Sequence, residues 1–298
     1  MRRLVLFIAA GTAVWPGVLR AEHPMEVQRH SARGEHLQAV LTYDRMPKRV
    51  ATGEAMVAAG RSAWALSLPD QALHEFDRAL NTGTLPVVEQ ARVHLSKGII
   101  EFQEERYQVA ILHAEKSVAL LAQPGPLRGK AWFLWGEALA RLGSWGQAEE
   151  KYLQAVAESS ADELPELHYH LGRCQRHLGK LEAARLSFER VPLQHDRTPQ
   201  AIRALAELAL ELKRPKSAAF WLARGRSEYP DSFLDSWVDY ALVQAAAAEE
   251  NPQELRRIRT EANTRYAPSD PWLVLLNAAA EEFEWNRIHQ EHHARERN

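Results

Sequence analysis

Residues 130–157 read KAWFLWGEALARLGSWGQAEEKYLQAVA, and that pattern leaves one kind of local structure open. Trp132, Trp135 and Leu139, with Gly136 among them, recur three and four apart, and so do Trp145, Ala148, Tyr152 and Ala155. Each half is therefore an amphipathic helix. Gly143 and Ser144 interrupt the two. Small residues at Gly136 and Ala148 fall where two helix backbones must approach closely. One such helix pair cannot bury its apolar face alone, so a chain made of these pairs has to stack them.

The same frame recurs along the chain. Gly34, His36, Ala39 and Tyr43 mark a worn first unit over residues 22–52, whose first helix, from Pro24, is short. Residues 53–86 carry Met56, Gly60 and Ala63, then Ala72, Phe76 and Ala79, with Pro69 opening the second helix. In 91–124, Gly98, Tyr107 and Ala110 keep the register, and Ala114 stands where an aromatic is usual. Gln123-Pro124-Gly125-Pro126 then reads as a longer loop, or as a hinge. Units 129–162, 165–198 and 199–232 follow, the last two marked by Gly172, Gly179, Ala184 and Phe188 and by Leu205, Ala206, Pro215 and Ala218. A degenerate unit covers 237–270, with Arg256 in the place of the usual Ala. Asp270-Pro271 then opens a capping helix that ends in a polar, fraying tail, the whole covering 271–298.

The motif Trp132, Trp135-Gly136, Leu139, Ala148, Tyr152 and its echoes resemble the tetratricopeptide repeat, a 34-residue helix-turn-helix unit. The resemblance implies an all-α solenoid, a right-handed superhelix of about six to seven repeats with a concave binding face. Positions on the first helix of each unit would line that face. Carried over residue by residue, they are Val57, Trp64, Leu95, Ile99, Phe102 and Phe133 as an apolar zone, and Lys130, Arg141, Tyr169, Arg173, Arg176, His177 and Arg203 as a basic zone, diluted by Glu137, Glu207 and Glu211. Such a face suits a protein or peptide partner that carries hydrophobic and acidic residues. The Lys/Asn clamp of chaperone-binding members is not matched, which argues against chaperone tails as partners.

Composition narrows the remaining choices. A formal net charge of -2 over 298 residues gives no reason to expect nucleic acid. Many of the nine Trp are expected to fill helix–helix contacts. Arg2, Arg3 and the apolar run 4–15 form a targeting segment, with cleavage after Ala21 and a periplasmic or secreted mature chain without a transmembrane segment. The alternative is an uncleaved anchor. The single cysteine, Cys174, lies in an apolar helical pattern and reads as packing.

No phosphate loop, nucleophile elbow or C-x-x-C occurs. His289, His292 and His293 share a helix face but lack the further ligands zinc needs. No cofactor, metal or catalytic residue is therefore expected. The reading is a non-catalytic scaffold or adaptor of the cell envelope. Its alternatives are an accessory part of a wall-active enzyme system and a small-molecule or lipid receptor.

Overall fold

Seven short turns organise the chain, each with one residue held at positive φ: Gly34 at 75°, Ser67 at 60°, Glu105 at 59°, Gly143 at 75°, Gly179 at 70°, Lys213 at 55° and Glu250 at 53°. A single left-handed residue reverses the chain after a helix and satisfies its last carbonyls. Glycine does this without steric cost; the other four positions accept strain, because the next helix must start there.

The computed structural model describes residues 24–296. The expected targeting segment, 1–21, lies outside the described residues. Among these, the elements are fifteen α-helices and two single 3-10 turns, Lys48–Val50 and Pro230–Ser232, with no strand. The helices are α1 (Pro24–Ala32), α2 (His36–Arg45), α3 (Gly53–Ala65), α4 (Pro69–Asn81), α5 (Val87–Gln103), α6 (Tyr107–Leu120), α7 (Pro126–Arg141) and α8 (Trp145–Glu158). They continue as α9 (Leu164–His177), α10 (Leu181–Glu189), α11 (Thr198–Glu211), α12 (Pro215–Glu228), α13 (Ser236–Ala248), α14 (Pro252–Arg265) and α15 (Pro271–Glu296). None of the described helices is long and apolar enough to cross a membrane.

Local chemistry starts these helices where they start. Pro69, Pro126, Pro215, Pro252 and Pro271 each stand in a first turn, where the missing N–H is not needed. Thr52, Asn251 and Asp270 accept hydrogen bonds from the free amides of α3, α14 and α15. Pro192 stops α10 after nine residues.

The chain divides within α5 into two compact units, one ending at Val93 and the other starting at His94. In the first, α1 packs on α2 and α3, and α3 on α4. Phe76 sits so close to Gly60 that an added Cβ would meet its ring at 2.8 Å. In the second unit each helix from α6 onward packs on its successor, and α13 also contacts α11 and α15. There the apolar interior is a succession of small clusters: Leu95 with Ala131 and Leu134, then Leu139 with Tyr152 and Leu171, then Phe188 with Leu205 and Leu208, and finally Leu255 with Ile258 and Leu276. A core handed on from pair to pair is what defines an all-α solenoid.

Three local expectations change. The loop at Gln123-Pro124-Gly125-Pro126 is tied down, because Arg128 donates to Glu158 at 2.7 and 2.8 Å and to the Leu121 carbonyl at 3.2 Å. Leu255, not Arg256, occupies the buried slot of α14, so the register there is one residue earlier. And α15 is helical from Pro271 to Glu296, with Trp285 61% exposed, so one tryptophan packs against no core.

Candidate functional site

A groove of about 780 Å³ lies between α9 and α11. On α9, Tyr169, Arg173, Arg176 and His177 fall one turn apart on one face; on α11, Gln200, Arg203, Glu207 and Glu211 do the same. Both helices begin at a proline-containing first turn, which fixes the two rows in register.

Two of the three arginines in the groove are paired, one across the two helices and one with the segment before α13. Arg176 donates to Glu207 and, through Nε at 3.1 Å, to Glu211. Arg203 donates to Asp235 and, at 2.9 Å, to the Ser232 carbonyl, while its guanidinium lies 4.5 Å from the Trp237 ring. His177 stacks on Trp145 with ring centres 3.9 Å apart. Arg173 is different. It is exposed, rests over the Tyr169 ring at 5.9 Å, and has no carboxylate within ion-pair distance among the described residues.

Behind the groove runs a polar chain that is buried at Tyr152 and half-buried at Glu137, His170 and Glu166. Tyr152 donates to Glu137, which meets Nδ1 of His170 at 2.5 Å; Nε2 of His170 lies 3.1 Å from Glu166, and Arg197 clasps Glu166 at 2.7 and 2.8 Å. Burial would raise the Glu137 pKa, but bonds from His170 and Tyr152 together with the charges of His170 and Arg173 hold it below the usual carboxyl value. The Arg197 hydrogen bond does the same for Glu166, and the Tyr152 hydroxyl is pushed up by burial and by the Glu137 charge. These residues join α7, α8, α9 and the start of α11, and so brace the groove floor.

Of the thirteen residues expected on a binding face, the structure brings five into this groove: Tyr169, Arg173, Arg176, His177 and Arg203. Lys130 and Phe133 line a second pocket, of about 300 Å³, between α7 and α9. Arg141 lies in a small recess beside Arg173, its guanidinium 5.7 Å from the Phe102 ring. Ile99 and Phe102 are half-buried against the Leu95 cluster. Leu95 at 7% and Val57 at 3% exposure are packed between helices and offer no surface, and Trp64 is half-buried in the first unit. An apolar residue on a first helix is drawn into the helix contact, so the expected aromatic zone is mostly interior. Sequence reasoning missed Pro199, Gln200 and Ala204 on α11, although they share Arg203's helical face, and Phe188, whose edge reaches the groove from α10.

A family model described as T7SS, ESX-1 secretion system protein EccA1, N-terminal domain, matches residues 50–232. The chain belongs to this family. Its fold is that of tetratricopeptide-repeat proteins, as solved structures show. It is similar to the C-terminal part of a TPR repeat-containing protein from Cytophaga hutchinsonii, with a TM-score of 0.67 and 12% identity over 85% of this chain and 98% of that one. PilF of Pseudomonas aeruginosa gives a TM-score of 0.56 with 16% identity over 70% of this chain and 92% of that one. YrrB, described as a TPR protein with an unusual peptide-binding site, gives 0.50 with 18% identity over 66% and 91%. No curated protein sequence matches. Within the EccA1 N-terminal family match lie both helices of the groove.

Proposed function

We propose that this chain is a non-catalytic adaptor that holds an extended segment of a protein partner in the groove between α9 and α11. The observation that carries this reading is the groove itself: about 780 Å³, open, and walled by two rows of polar and aromatic side chains in which Arg176 meets Glu207 and Glu211, Arg203 meets Asp235, and Arg173 has no ion pair among the described residues. A pre-paired groove is rigid and loses little side-chain freedom on binding, which favours recognition. Membership of a family described by a secretion-system protein and the fold shared with YrrB, whose own description includes a peptide-binding site, support a role among the proteins of an assembly.

We further propose that the assembly lies at the bacterial cell envelope. The support is the run of Arg2, Arg3 and the apolar residues 4–15, which has the layout of an export signal. Cell fractionation with N-terminal sequencing tests this. A chain recovered only from the cytoplasm with Met1 intact would remove the envelope from the reading and leave the groove untouched.

The groove is tested by photocrosslinking. A photoreactive amino acid placed at Gln200 in the full chain should yield defined protein adducts in cells, and those adducts should disappear with Arg173→Glu. Identical adducts from a probe at Leu186, on the exposed side of α10, would mean that the groove selects nothing.

A further inference from the structure

The pocket between α7 and α9 differs in chemistry from the groove it adjoins. Its walls are Phe133 and Leu167, and its rim carries Lys130, Asp162, Glu163 and Glu166. Most of those charges have partners: Lys130 with Glu163 at 3.0 Å, and Glu166 with Arg197 and His170. Asp162 is exposed and has no ion pair among the described residues. One carboxylate without an ion pair thus lines this aromatic-walled pocket, and one guanidinium without an ion pair, Arg173, whose charge is felt by Glu137 behind it, stands in the groove beyond.

We propose that the bound segment carries both signs of charge: a lysine or arginine seated in the Phe133 pocket with its cation at Asp162, and a carboxylate on Arg173. The inference rests on the groove reading above. Three possible occupants of the pocket can be ranked. A plain apolar side chain would cover Phe133 but strip water from Asp162 and from the Lys130–Glu163 pair without replacing it, which is costly. An acidic side chain would meet Asp162 with like charge. A long basic side chain lays its methylenes on Phe133 and Leu167, gains a cation–π contact and ends on the carboxylate.

The helix between the two charges sets the spacing. Asp162 and Glu163 stand just before the first residue of α9, and Glu166, His170 and Arg173 follow along one face. From Glu163 to Arg173 is roughly 15 Å of helix axis at about 1.5 Å per residue. Extended chain covers that in about four to five residues at about 3.3 Å each. The basic and acidic residues of the partner should therefore stand four or five apart, in either chain direction.

A random twelve-residue peptide library displayed on phage and selected on the full chain tests this. The expected result is enrichment, about fivefold or more over the input, of peptides with a basic and an acidic residue four or five apart. A synthetic peptide from that pool should bind about tenfold more weakly to Asp162→Asn and, separately, to Arg173→Gln, with the fold of both variants checked by circular dichroism. If the selected peptides are acidic without the basic residue, or carry an apolar residue in its place, or if Asp162→Asn has no effect while Arg173→Gln does, the two-charge inference is overturned and the groove stands. If selected peptides ignore Arg173→Gln, or no peptide is selected, the groove reading falls with it.

Discussion

The ring of Phe188 packs against Gly172, so close that a Cβ on Gly172 would stand 2.9 Å from two ring carbons. The same pairing joins Gly136 to Tyr152 and Gly60 to Phe76, each aromatic sixteen residues after its glycine. The glycine allows the two helices of a pair to touch, and the aromatic fills the space this opens. Gly172→Ala is expected to destabilise the chain by about 1–3 kcal/mol through overpacking. Urea midpoints check this. Combining it with Phe188→Leu, which makes room, should recover part of the loss relative to the sum of the single changes.

Arg176 and Arg173 should separate by function. Removing Arg176 leaves Glu207 and Glu211, one turn apart on α11, without the cation between them. Like charges at that spacing repel. Arg176→Gln is expected to lower stability by about 0.5–1 kcal/mol, with Arg173→Gln within about 0.5 kcal/mol of the parent. Equal urea midpoints for the two variants would contradict the pairing.

Four of the seven helix-pair turns hold a left-handed residue other than glycine. At Lys213, φ is 55°, and its side chain has no ion pair among the described residues. Lys213→Gly is expected to stabilise by about 1 kcal/mol, against the usual direction for a glycine substitution. Thermal melting would read this as a rise of Tm; a fall would mean that the turn relaxes in solution.

His168 is buried, and its Nδ1 finds no hydrogen-bond partner among the described residues. Burial, helped by the charge of Arg190, holds its pKa below the ordinary 6.5. A lowered pKa in the folded chain means that the unfolded chain takes up the proton first. The contribution to stability is then complete above pH 6.5 and is lost as pH falls from 6.5 through the folded value. His168→Leu should remove that part of the pH dependence and stay within about 1 kcal/mol of the parent at pH 8. Urea titrations between pH 5 and 8 measure both.

Cys174 donates its Sγ–H to the Trp145 carbonyl at 3.1 Å, and burial, with the nearby Glu149 carboxylate, pushes the thiol up to about 12. Thiolate is the reactive form, so the folded chain should resist iodoacetamide at pH 8. In 6 M guanidinium the modification should complete within minutes. Equal rates in both conditions would place the thiol at the surface.

Much of the fold could be read from residues alone. Pro69, Pro215 and Asp270-Pro271 announce helix starts because their preferences are local. Gly143 and Gly179 announce turns for the same reason. Ser67, Glu105, Lys213 and Glu250 gave no such signal, since nothing in those residue types favours a left-handed backbone; the flanking helices impose it. The residues of the proposed groove were legible in part. Tyr169, Arg173, Arg176, His177 and Arg203 do converge, yet Val57 and Leu95 turned inward. Their helical position differs from that of a groove residue by only a fraction of a turn, which no spacing rule resolves.

The sequence by itself determined that this chain forms paired helices and that the pairs must stack, because a period near 3.6 with small residues at fixed places is a local instruction. Only the tertiary structure decided which charges are occupied. Arg176 meets carboxylates 31 and 35 residues away and Arg203 meets one 32 away, whereas Arg173 and Asp162 meet none among the described residues. Those outcomes depend on how one helix pair is rotated on the next. That rotation is set by side-chain packing between repeats, which no single stretch of the chain encodes.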